Sequence, residues 1–333
     1  MLIKRFFLST LAVASVVSGK FSSRIFTEHL NAHDVICYRS WPLLTRWYVA
    51  QSKCSEDSYQ LNNDGDDKQI ASCETIDGDV VIGEGVTTLS LSKVQVIKGN
   101  FIANKAVALT TIDFPVLRQI HGDFGLQECT TLSKLSAPEL TKVGSITWIT
   151  LPVLQSFVFT AGVTDASNVK ISDTQLNSLT GLNLETVKQL SIDSNRYLTN
   201  VSMDLKNISE GLSISSNAKT IGISFPELMW SNNISVIGAG AISFDKLKHI
   251  NGSLNIRNTT VDQITCDELT TIDGTLAFIG NTKLTKLDFP ELEEIGGGFK
   301  IHNNSDLTKI NGFPKLKQVR GAIDFVGYFT KYV

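Results

Sequence analysis

The sequence predicts an all-β chain wound as a right-handed parallel β-solenoid, with coils of roughly 21–24 residues. Three observations predict it. The first is a repeated unit. Ile272-Asp273-Gly274 opens an alternating stretch through Leu276 and Phe278, Asn281 follows, then Leu284 and Leu287, and Phe289-Pro290-Glu291-Leu292 closes it. The text restarts at Ile295-Gly296-Gly297, passes Phe299, Ile301, Asn304, Leu307 and Ile310, and closes on Phe313-Pro314-Lys315-Leu316. Val319-Arg320-Gly321 begins a third copy. The second is the placing of proline: six of the seven prolines sit in that closing turn, as in Phe114-Pro115, Ala137-Pro138, Leu151-Pro152 and Phe225-Pro226. Proline cannot donate to a strand ladder, so a periodic proline marks one corner of each coil. The third is the recurring apolar-x-Gly opening, at Ile76-Asp77-Gly78, Ile97-Lys98-Gly99, Ile120-His121-Gly122 and Ile250-Asn251-Gly252. It marks a place where a side chain would obstruct the backbone.

One such unit is too short to bury its own apolar face and must stack on its neighbours, with the inward residues forming columns. The asparagine position (Asn281, Asn304, echoed by Asn217) then brings amides together near a turn in successive coils. There they can satisfy backbone groups that would otherwise be unpaired, a structural role.

In chain order, residues 1–19 read as a cleaved secretory signal. Lys4 and Arg5 precede an apolar run from Phe6 to Val17, and Val17-Ser18-Gly19 supplies small residues for cleavage. The run is too short for a comfortable membrane span. Residues 20–53, with Cys37, Trp41, Trp47 and Tyr48, carry no period and read as a cap or a leader. Residues 54–75 form a polar, turn-rich loop bracketed by Cys54 and Cys73. A disulfide between them would staple the open end of the stack, and export permits it. Cys37 is then a free thiol or a competitor for Cys54. The solenoid proper covers 76–327. Stretches 143–186 and 228–244 break its period, so each is a candidate boundary between sub-solenoids and a candidate site of function.

Two other cysteines fall inside the repeat, Cys129 at the asparagine position and Cys266 at the phenylalanine position. Six coils at roughly 4.8 Å each separate them by about 30 Å. A disulfide needs Cα atoms within about 7 Å, so both are expected as buried free thiols. Six sequons follow the export signal at Asn200, Asn207, Asn233, Asn251, Asn258 and Asn303. That density makes N-glycosylation the expected modification. Asn258 and Asn303 lie beside the amide column, where a glycan requires an outward side chain.

Composition excludes several classes. A net charge of −3 gives no basic footprint for nucleic acid. No nucleophile elbow, zinc-protease motif or phosphate loop is present. His121, His249 and His302 are spread over distant coils, so no metal and no cofactor is expected. A polysaccharide-active enzyme would need two facing carboxylates. Asp173 and Asp193, one coil apart on the irregular stretch, could approach each other, but aspartates after strand ends more often build turns. For a binding module the contact groups would be exposed aromatics, since sugars stack on them. Trp148, Tyr197 and Trp230 in the irregular stretches are the candidates. The competing reading is that they plug gaps where the repeat falters.

Several motifs in order carry a resemblance across residues 54–327. They are Ala71-Ser72-Cys73-Glu74-Thr75-Ile76, Ile171-Ser172-Asp173-Thr174, Asp193-Ser194-Asn195-Arg196-Tyr197-Leu198, Leu228-Met229-Trp230-Ser231-Asn232-Asn233-Ile234 and Gly296-Gly297-Gly298-Phe299. The chain resembles the fungal GPI-anchored cell-wall organisation proteins of the extracellular-mutant, protoplast-secreted and sporulation-specific branches, built on receptor L-domain-like, leucine-rich-repeat-like coils. The resemblance implies a secreted, non-catalytic glycoprotein of the cell wall or cell surface that contributes to wall or spore-wall integrity. It implies wall polysaccharide or wall glycoproteins as partners, and membrane contact only through a GPI anchor. Alternatives are a glycan- or protein-binding L-domain module and, third, a β-helix enzyme acting on polysaccharide. Family members continue into more coils, a cysteine cap, a Ser/Thr-rich stalk and an anchor signal. Here residues 328–333 read as a truncated tail without that signal.

Overall fold

The computed structural model describes residues 54–332; the export signal and the leader with Cys37, Trp41, Trp47 and Tyr48 lie outside the described residues. Those residues form a parallel β-solenoid of about 12 turns. One sheet of 20 strands follows the whole stack, and short sheets of two or three strands line a second side. The ladder starts earlier than the repeated text does, because Ser58–Asn63 already pairs in parallel with Asp79–Gly85.

Register explains why the period is legible. On the long sheet Ile76, Ile97, Ile120 and Val143 are successive partners, and Ile250, Ile272, Ile295 and Val319 continue the same column further along. A parallel column runs Val80, Phe101, Phe124, Ile146, Val169, Leu190, Leu212, Ile234, Leu254, Leu276 and Phe299. All of the latter are at most 2% exposed. Each such side chain contributes about 1.5–3 kcal/mol by leaving water, so the stack is held by its columns rather than by any one coil. The ladder crosses both irregular stretches without a gap, through Lys142–Leu151, Asn168–Thr174, Leu182–Asp193, Asn207–Ser215 and Trp230–Ile237.

On the proline side, Phe114, Phe225, Phe289 and Phe313 are all interior. Phe225 stacks on Phe244 at 6.2 Å and Phe289 on Phe313 at 5.2 Å between ring centroids. Cys266 occupies the same position in the coil between Phe244 and Phe289 and is buried there.

At the end of the long strand each coil turns through a left-handed residue. Lys105, Glu128, Thr150, Asp173, Ser194, Ser216, Asn258 and Asn303 have φ between 51° and 59°, and Gly238 and Gly280 fill the same place. The next residue points inward, and where it is an asparagine its amide satisfies the backbone of that corner. Asn281 Oδ1 accepts from the Thr259 backbone N–H (3.0 Å) and hydroxyl (2.7 Å), and its Nδ2 donates to the Ile256 carbonyl (3.0 Å). Asn304 repeats this toward Asn281 N–H (2.8 Å) and the Phe278 carbonyl (3.0 Å). Asn195 does the same for Thr174 and the Ile171 carbonyl. Cys129 stands in this column too, its thiol donating to the Ala103 and Gln127 carbonyls in the amide's place.

The glycines form a third column. A Cβ on Gly99 would lie 2.5 Å from the Gly78 carbonyl, on Gly122 2.8 Å from Gly99, and on Gly297 2.8 Å from Gly274. At these glycines one coil passes over the backbone of the one before it, with no room for a methyl group between them.

Candidate functional site

The three aromatic candidates separate sharply. Trp148 is fully buried, which corrects the expectation that it contacts ligand. It lies in an interior column between Leu126 and Ile171, and Phe124, Phe157 and Phe159 pack around its ring at 5.7, 5.2 and 6.0 Å. The residue plugs the interior where the coil after Leu151 departs from the repeat. The alternation of Ile146 and Trp148, two apart on one strand, was the signal for an inward side chain.

Tyr197 is 54% exposed. It follows the left-handed Ser194 and inward Asn195, so the corner turns it out to solvent. With Pro152, Asp173, Gln175 and Arg196 it lines an open cavity of about 220 Å³ that spans three coils. An aromatic face, a carboxylate and a guanidinium in one small hollow can engage the apolar face and the hydroxyl groups of a sugar.

Trp230 is half-buried at the head of its strand, on the outward face of the long sheet. Its register partners are Asn207 on one neighbouring coil and His249 on the other. A second open cavity, about 460 Å³, lies against Asn207 and is lined by polar groups including Lys142, Asp165, Thr186, Lys188 and Ser209.

Among the sequon asparagines, Asn200, Asn233, Asn251, Asn258 and Asn303 are exposed and Asn207 is half-buried. Asn258 and Asn303 are themselves left-handed corner residues, so the chain turns their amides outward while the following Thr259 and Asn304 point in. Asn233 is engaged otherwise: its Oδ1 accepts from the Ser253 N–H at 2.9 Å.

Asp173 and Asp193 do not form a facing pair of free carboxylates. Asp173 is an exposed left-handed corner, and Asp193 accepts the Ser172 hydroxyl at 2.8 Å. Among the described residues no three His, Cys, Asp or Glu side chains converge as a metal site would require. Glu293 and Glu294 pair with Lys317 and Arg320 on the next coil. Burial pushes the Asp123 carboxyl up, partly offset by the Thr147 hydroxyl, in a ladder that links Asp79, Asn100 and Asp123.

Cys54 and Cys73 form a disulfide with Cα atoms 5.8 Å apart. The loop between them is also tied to the stack, because Asp64 accepts the Thr87 N–H and hydroxyl, which holds its carboxyl below the usual range. Cys129 and Cys266 are free and buried. Burial pushes the Cys129 thiol up to about 11 and the Cys266 thiol up to about 12. In the unfolded chain these thiols ionise at their ordinary value, so stability is complete below pH about 9 and falls as pH rises toward 11. Neither is expected to react with iodoacetamide at mildly alkaline pH until the chain unfolds. Peptide mapping of labelled native and denatured protein checks this.

Comparison with known proteins adds the family. No family model and no solved structure matches the chain. It is 33% identical over 242 residues to the cell wall protein ecm33 of Schizosaccharomyces pombe, covering 72% of this chain and 58% of that protein. It is 34% identical over 279 residues to protein ecm33 of Aspergillus fumigatus, covering 83% and 70%. It is 30% identical over 291 residues to sporulation-specific protein 2 of Saccharomyces cerevisiae, covering 86% and 58%. The matched region thus spans between half and three-quarters of these relatives. Identity of this order across most of the repeat, with coils stacked as the period requires, shows that the chain belongs to the fungal cell-wall protein family that includes ecm33, sporulation-specific protein 2 and the cell wall mannoprotein PST1.

Proposed function

We propose that the protein is an exported, non-catalytic glycoprotein of the fungal cell surface that supports the organisation and integrity of the wall or spore wall. The observation that supports this most is the unbroken parallel ladder from Ser58 to Val326 in a chain related to cell-wall proteins. Such a stack is stiff along its axis and carries outward asparagines on its corners and sheet face, as a glycosylated structural rod requires. Relatives named as cell surface GPI-anchored proteins support a surface location. Wall polysaccharide or wall glycoproteins are the partners that this placement brings within reach. Deleting the gene should raise sensitivity to wall-perturbing dyes, in vegetative cells or in spores, and the intact gene should restore resistance. Unchanged sensitivity in both cell types overturns the reading. Release of soluble sugars from β-glucan or chitin by the pure protein, lost in Asp173→Asn, would replace it with an enzyme.

A second reading, a glycan-binding module, is favoured by the exposed Tyr197 in its hollow with Asp173 and Arg196. If it holds, the pure protein binds wall oligosaccharides saturably, and Tyr197→Ala weakens binding about tenfold, or about 1.4 kcal/mol. Calorimetric titration measures this, and unchanged affinity in the variant removes Tyr197 from the site.

A further inference from the structure

Trp230 and Asn207 were singled out separately, one as an aromatic that could meet a sugar and the other as a glycan acceptor. The structure puts them side by side. Asn207 opens the strand Asn207–Ser215 and Trp230 opens Trp230–Ile237, and the two are register partners in the parallel ladder. Partners in adjacent parallel strands lie about 4.8 Å apart with side chains on the same face. That face is outward, because the next residues, Ile208 and Ser231, are buried.

The Asn207 amide makes no hydrogen bond among the described residues, and its Oδ1 is shielded from solvent. Nδ2 is the atom that N-glycosylation modifies. On the other flank of Trp230, the His249 imidazole is already engaged by the Thr271 hydroxyl and lies 3.3 Å from the Asp273 carboxylate. Asn200 and Asn233, also on strands, have the glycines Gly222 and Gly211 as partners and so lack such a platform.

We propose that Asn207 carries an N-linked glycan whose first sugar packs on the indole of Trp230, so that the carbohydrate this aromatic meets is the protein's own. In the transfer, Nδ2 attacks the anomeric carbon of a lipid-pyrophosphate-linked oligosaccharide. The C–N bond forms, the anomeric C–O bond breaks, the lipid pyrophosphate leaves, and the proton from Nδ2 passes to a base of the transferase. The apolar face of the sugar ring then covers the electron-rich indole face and removes both from water.

This inference rests on the reading as an exported glycoprotein, and one experiment separates the two. The protein secreted from a fungal host is mapped by glycopeptide mass spectrometry, and its thermal unfolding is compared with that of Asn207→Gln, Ser209→Ala, Trp230→Ala and Trp230→Phe. Asn207 is expected to be occupied in the parent and empty in the first two variants. Ser209→Ala and Trp230→Ala should each lower Tm by about 2–4 °C, and their combination by no more than the larger single loss. Trp230→Phe should recover most of the loss. Ser209→Ala keeps the asparagine, so its result does not depend on the side chain's own packing. An unoccupied Asn207 with other sequons occupied overturns this inference alone. No occupied sequon overturns the export reading with it. Additive losses, or Trp230→Ala weakening the binding of added wall oligosaccharide, would show that the indole serves something other than this glycan.

Discussion

Asn281→Ala is expected to cost about 4 kcal/mol of stability. The amide serves three groups of the preceding coil, namely the Thr259 N–H, the Thr259 hydroxyl and the Ile256 carbonyl. Asn281 and Thr259 are at most 1% exposed, so water cannot replace what is removed. Each buried group left unpaired costs about 1–3 kcal/mol, so three span about 3–9 kcal/mol, and partial relaxation of the corner keeps the loss toward the lower end, about 4 kcal/mol. The backbone bond from Asn281 N–H to Asn304 Oδ1 survives, which confines the damage to the N-terminal side of the coil. Asn281→Asp separates loss of the acceptor from loss of the donor. A carboxylate accepts from Thr259 but repels the Ile256 carbonyl, and protonation restores a donor. Its buried carboxyl is therefore expected to have a raised pKa, and by linkage the variant gains stability as pH falls through that value. Urea unfolding at neutral and acid pH, with hydrogen exchange over residues 250–310, measures both effects. A loss under 1 kcal/mol for Asn281→Ala would mean that the column is decorative.

That role was legible from the sequence because it recurs. Asn281, Asn304 and Asn217 share one repeat position, and a polar residue held in an otherwise apolar column reads as a satisfied interior group. The columns of Ile272 and Phe289 were legible for the same reason. What repetition does not mark was harder to read. Trp148 was misplaced because the coil after it departs from the pattern, and the interior there widens to take Trp148, Phe157 and Phe159 together. The pairing of Asn207 with Trp230 was harder to read because coil length varies there: Trp230 follows Asn207 by 23 residues, but His249 follows Trp230 by 19. The hollow at Tyr197 draws Pro152, Asp173 and Arg196 from separate coils. Only stacking brings these together, and stacking is a property of the backbone path rather than of any local motif.

Gly274→Ala is expected to be nearly as damaging, although it adds only a methyl group. The reason is where that methyl would go. A Cβ at Gly274 would lie 2.5 Å from the Gly252 carbonyl oxygen and 2.6 Å from its carbon, both of them backbone. The same Gly252 oxygen accepts the Gly274 N–H at 2.7 Å, so the coils cannot separate here without breaking that bond. Gly252 is in turn pressed against Asn233, and Gly297 against Gly274. A shift at one level therefore passes to the coils on either side. Overpacking of a tight interior typically costs about 1–3 kcal/mol, and with backbone on both sides the upper end, about 3 kcal/mol, applies. Gly211→Ala is the matched control. Its Cβ would meet nothing closer than the Asn233 oxygen at 3.5 Å, and its φ is not in the left-handed range. That substitution should be neutral or raise stability by up to about 1 kcal/mol, by restricting the unfolded chain. Equal losses in the two variants would mean that glycine is kept in these coils for backbone freedom in general. A large loss at Gly274 with none at Gly211 locates the constraint where one coil's backbone crosses the next, the contact that sets the pitch of the solenoid.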